Sequence, residues 1–213
     1  MGDSMSTIIN ATTTNGVVIQ PDNSGSLVLQ TNNGTTALTI DTSQNITTTN
    51  KLAVASMPTG SVVQVVSTIK TDQFTTTATS FTDVTGLSVS ITPSSVSNKI
   101  LVIANPNLSG GNIQVAARLV RDSTALAVGN SAGSRVQATV AVVGNASAND
   151  NAGMPMSLAI NFLDSPATTS ATTYKIQMQV NSGTGYLNSA SDDQDAAYRA
   201  RTSSTITVME IKG

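Results

Sequence analysis

Asp192, Asp193 and Asp195 form the one acidic cluster of the sequence, and Arg199 and Arg201 follow a few positions later. Three carboxylates on a loop are the oxygen-rich donor set that a hard cation such as calcium takes. The cluster lacks the glycine and the bidentate glutamate of an EF-hand loop, and the whole chain holds a single glutamate, Glu210. A solvated acidic loop accounts for it without a metal. Paired carboxylates also serve glycosidases. Nothing sets a second carboxylate opposite these three, and with three Phe, three Tyr and no Trp the chain has few aromatic platforms for a sugar ring. Arg118, Arg121, Arg199 and Arg201 are the remaining candidates. They either grip anionic sugars or pair with Asp and cross a subunit interface.

Other chemistry falls away on residue type. Histidine and cysteine are absent, which excludes disulfides, thiolate or imidazole metal ligands, and any nucleophile activated by histidine. Gly110-Gly111 and Ser131-Ala132-Gly133-Ser134 do not open a helix carrying Lys and Ser/Thr, so neither cradles phosphate. Five Asn-X-Ser/Thr triplets begin at Asn10, Asn33, Asn45, Asn107 and Asn145. Chance alone gives about five at this composition, so they carry no message about glycosylation. No catalytic, cofactor-binding or metal-binding residue is expected, and the chain is not expected to be an enzyme.

The background against which these residues stand is unusual. Only 10% of the 213 residues are charged, against about 25% in an ordinary soluble domain. Thr and Ser together supply 59 residues and Asn 18 more, so solubility must come from hydroxyls and amides. Hydrophobic residues reach 39%, enough for a core. A net charge of -2 leaves no basic surface for nucleic acid or anionic lipid. The longest apolar run, Ile100 to Ala104, is far short of the roughly 20 residues a membrane helix needs. Met1 to Ile9 is polar with no Lys or Arg, so no export signal is expected there.

Two regions read differently. In residues 1–60, three blocks recur about every ten residues: Gly16 to Gln20, Ser26 to Gln30 and Thr36 to Ile40. Each is followed by turn chemistry, as in Asn32-Asn33-Gly34 and Asp41-Thr42-Ser43-Gln44-Asn45. Strands of four or five residues with two or three apolar side chains cannot offset their own ordering entropy. Three copies winding around one axis would bury them, which predicts a short-stranded trimeric shaft. A disordered polar arm fits the same composition.

Residues 61–213 alternate with a period of two. Leu87, Val89 and Ile91 oppose Ser88, Ser90 and Thr92; Ile113, Val115, Ala117 and Leu119 oppose Gln114, Ala116 and Arg118. Val136, Ala138, Val140 and Val142 form a third set, Leu158, Ile160 and Phe162 a fourth, and Tyr174, Ile176, Met178 and Val180 a fifth. Further strands are expected over Val62 to Ile69, Gln73 to Phe81, Lys99 to Ala104 and Thr205 to Ile211. In the last of these, Ile206 and Val208 point one way and Met209 and Ile211 the other, which predicts a central strand or a subunit interface. No stretch repeats at 3.6 residues. The expected fold is therefore all-β, an N-terminal arm followed by an antiparallel β-sandwich of jelly-roll type. Met154-Pro155-Met156 is read as an apolar plug entering the strand at Leu158.

Ser6 to Ala11, Ser26 to Thr31 and Ala37 to Asp41 resemble the shaft-like start of tailed-bacteriophage fibre proteins, marine and cyanobacterial phages above all. Thr59 to Val66, Ser95 to Ala104 and Ser203 to Lys212 are similar to strands of their C-terminal head. The resemblance implies a homotrimeric virion protein, made in the host cytoplasm, with a head like those of complement C1q and tumour necrosis factor. Residues 1–60 would hold it to other virion proteins. Its head, residues 61–213, would meet a host-surface polysaccharide or protein, with neither nucleic acid nor membrane insertion involved. The resemblance brings no catalytic residues with it. A capsid decoration protein, cementing the shell through the arm, is the alternative. The expected contact loops are Asn105 to Asn112, Gly144 to Gly153 and Ser182 to Asp195, rich in Asn, Ser and Gly.

Overall fold

The computed structural model describes residues 25–31, 35–48, 57–144 and 153–213. The chain divides into two compact units, Met1–Ser56 and Met57–Gly213. Among the described residues every regular element is a strand.

In the first unit, β1 (Leu27–Thr31), β2 (Thr35–Ile40) and β3 (Ile46–Thr48) make an antiparallel meander. The blocks read at Ser26 and Thr36 are β1 and β2; the block at Gly16 lies outside the described residues. Asp41 builds the turn into β3 as its composition predicts. Its Oδ1 accepts from the backbone N–H groups of Ser43 and Asn45, both at 2.9 Å, and Oδ2 accepts from the Asn45 amide at 3.0 Å. These bonds hold the Asp41 carboxyl below its usual range, the Asn45 side chain contributing most. Leu27 pairs with Ile40 and Leu29 with Leu38, while Ile40 also faces Ile46, so one side of this small sheet is a row of aliphatic residues. Leu29 and Ile46 remain 44% and 68% exposed.

The second unit is a sandwich. One sheet orders β10 (Thr124–Leu126), β9 (Gln114–Arg121), β14 (Thr172–Val180) and β6 (Thr82–Ile91), with β11 (Val140–Val143) also on β9. The opposing sheet orders β13 (Ile160–Asp164), β7 (Lys99–Asn105), β16 (Ser204–Ile211) and β4 (Val62–Lys70). A short third sheet orders β12 (Met156–Ser157), β8 (Asn107–Gly110), β15 (Gly185–Leu187) and β5 (Phe74–Thr76). Its order repeats the second sheet member for member, since β12 leads into β13, β8 follows β7, β15 precedes β16 and β5 follows β4. It is one four-stranded layer bent at a corner. Pro106, which cannot donate to a ladder, sits at the bend between β7 and β8.

Between the layers, Tyr174, Leu87, Leu119, Ile176, Met178, Ile100, Val102, Ile206, Val208, Leu108 and Leu187 are fully or almost fully buried. Leu87, Leu119, Tyr174, Ile176, Met178, Ile206 and Val208 are inward positions the alternation identifies; Leu108 and Leu187 lie in segments expected as loops. β16 is central, between β7 and β4, as expected of a strand apolar on both sides. Two expected strands are shorter. Of Gln73 to Phe81 only β5 is paired, and of the set from Val136 only 140–143, Val136 itself being exposed. The Asn105 to Asn112 and Ser182 to Asp195 segments, expected as loops, instead contain β8 and β15, both central in the bent sheet.

The alternation of β6 slips once, and Gly86 is the reason. Val84 and Leu87 are both buried although three positions apart, because the β6–β14 register shifts between Lys175 and Gln177 and Gly86 turns through φ +83°. Its missing Cβ would meet nothing closer than Lys70 Nζ at 3.6 Å, so any cost of a side chain is conformational. Gly86→Ala is expected to lower stability by about 1 kcal/mol, read as a shift in the urea midpoint with the slope unchanged.

Candidate functional site

The bent corner is closed by uncharged side chains. Asn188, fully buried and in a left-handed conformation (φ 68°), donates its amide to the carbonyls of Lys70 (2.8 Å) and Asp72 (3.1 Å) and accepts from Ser204 Oγ (2.7 Å). Ser204 Oγ in turn accepts from the Asn107 N–H at 2.9 Å, and Asn107 donates to the Ser203 carbonyl at 2.6 Å. Ser109 Oγ donates to the Ser189 carbonyl, and Gln73 donates to Ser189 Oγ, both at 2.6 Å. Three of the four bent strands, β4–β5, β7–β8 and β15–β16, are thereby tied to the excursion after β15. A corner leaves backbone groups without ladder partners, and short amide and hydroxyl side chains replace them. That is one use of the high Asn and Ser content.

Above this corner the Asn105 to Asn112 and Ser182 to Asp195 segments meet Gly144 and Gly153, the two ends of a third expected segment whose residues 145–152 lie outside the described residues. The Ser191 N–H donates to the Gly153 carbonyl at 2.9 Å, and the Gly144 N–H to the Ile113 carbonyl at 3.2 Å. Gly144 lies so close to β8 that a Cβ on it would stand 1.3 Å from the Gly110 carbonyl oxygen, so no other residue fits there. A cavity of about 180 Å³ opens between them, lined by Ser109, Gly110, Val142, Gly144, Met154 and Met156 among others. Met156 is 52% exposed at its rim, so the Met154-Pro155-Met156 segment borders this opening instead of plugging the core. A second hollow of about 230 Å³ is lined by Asp193, Gln194, Asp195, Arg199 and Arg201.

Two of the three carboxylates of the acidic loop pair with its own arginines. Asp192 pairs with Arg199 at 2.5 Å and Asp193 with Arg201 at 2.5 Å. The Arg199 side chain is nearly buried, faces Met154 Sδ at 4.0 Å and lies over the Tyr198 ring, 5.0 Å from its centre. Among the described residues no group of three or more acidic side chains is arranged to hold a metal ion. With two of its three carboxylates engaged, the loop loses the donor set a cation would need.

Arg118 and Arg121 lie elsewhere. Arg118 Nε donates to Gln177 Oε1 at 2.8 Å and its guanidinium sits 4.2 Å from the Phe81 ring centre, on the outer face of the five-stranded sheet. Arg121 is held by Asp164 between the layers. Arg118 and Arg121 are thus engaged away from Arg199 and Arg201, which share the acidic loop, and among the described residues these four form no single basic cluster to grip an anionic polymer. What the apex offers is backbone, hydroxyl and amide groups around a small apolar hollow, which recognises by shape and neutral hydrogen bonds. Sequence reasoning missed Asn188 and the lining role of Met154 and Met156. Asn188 has no periodic signal, because it follows a three-residue strand.

No protein-family model matches the chain, and no curated protein matches it. Among solved structures the chain is similar to the VP2 protein of the infectious bursal disease virus subviral particle, at 14% identity and a TM-score of 0.34. The match covers 72% of this chain and 34% of that one, so the chain spans about a third of the length of the protein it matches.

Proposed function

We propose that the chain is a non-enzymatic structural protein of a virus particle: a homotrimeric phage fibre whose second unit binds a host-surface polysaccharide or protein. The observation that carries this reading is the convergence of 109–112, 144, 153–156 and 188–201 on one end of the sandwich. Residues 109–110, 142–144 and 153–156 line an uncharged hollow, and 190–201 line a second, charged one beside it, joined to the first through the Ser191–Gly153 hydrogen bond. A rigid scaffold with adaptable, hydroxyl-rich connections at one end is how recognition surfaces are commonly built. Each contact is weak, and many copies on one particle multiply it through effective concentration.

The first unit supports the trimer. A three-stranded sheet with Leu29 and Ile46 largely exposed is too small to bury its apolar row alone, and three copies around an axis would cover it. Residues 1–60 then join the fibre to other virion proteins.

The test is competition. Purified full chain is expected to coat cells susceptible to the parent phage and to block infection in proportion to its concentration. Cells that stay bare, together with shells that leak genome when the protein is missing, would overturn receptor binding in favour of capsid decoration.

A further inference from the structure

The excursion after β15 closes on itself. The Thr202 N–H donates to the Asn188 carbonyl at 3.1 Å, so residues 189–201 form a loop whose two ends meet. Compact loops of this kind, packed by their own side chains, are frequently functional. Three more backbone bonds tighten it, from Asp193 to the Ala190 carbonyl (3.2 Å), Ala196 to Gln194 (3.0 Å) and Arg199 to Ala196 (2.8 Å). The charged hollow of about 230 Å³ is lined by residues of this loop alone. Its polar groups are of two kinds. Arg199 is engaged by Asp192 and Arg201 by Asp193. The Asp195 carboxylate and the Gln194 amide also line the hollow, and neither side chain has a partner among the described residues. Alanines complete the lining and leave the space open. Arg199, its side chain only 7% exposed, lies against the ring of Tyr198, which is itself 60% exposed.

We propose that this hollow is a subsite for one neutral sugar residue of a polysaccharide, with Asp195 and Gln194 binding adjacent ring hydroxyls and Tyr198 flanking the ring. The inference rests on the receptor-binding reading above and adds the ligand class and the residues that meet it. Three observations select the occupant. The first is size. About 230 Å³ falls below the roughly 300–1,000 Å³ of pockets that enclose drug-sized ligands, which suits a single ring. The second is hydrogen-bonding chemistry. An ionised carboxylate only accepts, whereas an amide both donates and accepts. Neighbouring sugar hydroxyls match that pair: one donates to Asp195 in a charge-assisted bond while the next exchanges with Gln194. The third is charge. Three aspartates against two arginines leave the loop one negative charge, and Asp195 is the carboxylate without a counterion. An acidic sugar would set a second carboxylate beside it while both arginines are already engaged, and like charges so placed repel. A lone unengaged carboxylate is also too poor a donor set for a bare divalent cation.

Saturation-transfer NMR on the full chain tests this with methyl glycosides of glucose, galactose, mannose, rhamnose and N-acetylglucosamine, and with methyl glucuronide as the charged probe. At least one neutral glycoside is expected to bind saturably with a Kd on the order of 1 mM, and the glucuronide about tenfold more weakly. Asp195→Ala should weaken the neutral glycoside about tenfold, and Asp195→Asn, which keeps one acceptor, by less. Both variants should unfold at the wild-type urea midpoint, because Asp195 is exposed. Silence of all five neutral glycosides overturns the subsite. So does a glucuronide that binds as tightly as they do, or binding that Asp195→Ala leaves unchanged. Cell coating separates this from the wider reading. If Asp195→Ala coats susceptible cells as well as the wild-type chain, the subsite is overturned and receptor binding stands. If the wild-type chain binds a glycoside yet leaves those cells bare, receptor binding is overturned and the sugar subsite stands.

Discussion

Glu210→Ala is expected to destabilise the Met57–Gly213 unit by about 3 kcal/mol, because it strips one shared acceptor at once from the buried Asn98 amide and from the partly buried hydrogen bonds of Gln64 and Ser94. Glu210 is fully buried on β16, on the face shared by Ile206 and Val208. The donors around it are neutral. Its Oε1 accepts from the Ser94 N–H (2.6 Å), Ser94 Oγ (2.7 Å) and Asn98 Nδ2 (2.6 Å), and its Oε2 from Gln64 Nε2 (2.6 Å). These donors come from β4 and from the β6–β7 connection. Asn98 Oδ1 further accepts from the Gly213 N–H at 3.1 Å, so the C-terminal end of the chain is held in the same knot. Removing the carboxylate leaves the buried Asn98 amide without this acceptor and with its desolvation cost, while the donors of Ser94 and Gln64 turn to water. Glu210→Gln keeps one acceptor and should cost less, about 1–2 kcal/mol.

The same knot predicts a pH dependence with a definite sign. Burial pushes the Glu210 carboxyl up, but the hydrogen bonds from Asn98, Gln64 and Ser94 together hold it below the ordinary glutamate value. A carboxyl whose folded value is depressed contributes stability that is fully present above its unfolded value. That contribution is lost as the pH falls through the folded value. The wild-type unit should therefore lose stability on acidification below about pH 4.3, the unfolded glutamate range. Glu210→Gln should lack that part of the loss. Asp83, lowered chiefly by Lys175, adds an acid slope of the same sign in both proteins. The difference between the two denaturation profiles isolates Glu210.

How far such features are legible in the sequence depends on periodicity. The inward faces of β9, β14 and β16, and of β6 from Leu87 onward, follow from alternation, since burial on one side and solvent on the other leaves a period of two. Glu210 obeys that period too: it occupies the next inward position after Ile206 and Val208. A lone glutamate in an aliphatic register signals a paired, buried carboxylate. The bent sheet is hidden for a different reason. β8, β12 and β15 are two to four residues long, too short for a period, and their Asn, Ser and Gly content imitates a loop. The contact segments are legible as stretches rich in Asn, Ser and Gly, while their placement in the sandwich and the strands running through two of them are not.

Asp164→Ala is expected to cost about 3 kcal/mol, the penalty of leaving a largely buried guanidinium without its counterion. Asp164 lies at the end of edge strand β13 and reaches the opposing sheet. Arg121 Nη1 lies 2.8 Å from Oδ1 and 2.6 Å from Oδ2, and Tyr174 donates its hydroxyl to Oδ2 at 2.6 Å. Arg121 and Tyr174 are themselves register partners on β9 and β14. One carboxylate therefore clamps an edge strand of the first layer to two strands of the second. Burial lowers the Arg121 value, but Asp164 raises it by more. Burial, and then the adjacent Asp164 carboxylate, push the Tyr174 phenol well above its usual value. An acid whose folded value is raised supports the folded state below its unfolded value, about 10 for tyrosine. That support is lost as the pH climbs above it. Wild-type stability should accordingly fall on the alkaline side of about pH 10, and Tyr174→Phe should flatten that decline. At neutral pH the same substitution leaves Asp164 with both Arg121 bonds and costs only about 1 kcal/mol. In a double-mutant cycle over these two sites, measured by guanidinium unfolding, the double variant should lose less than the sum of the single losses, because both remove the same hydrogen bond. Strict additivity would mean that Tyr174 and Asp164 stabilise the sandwich independently, and the clamp would not be a unit.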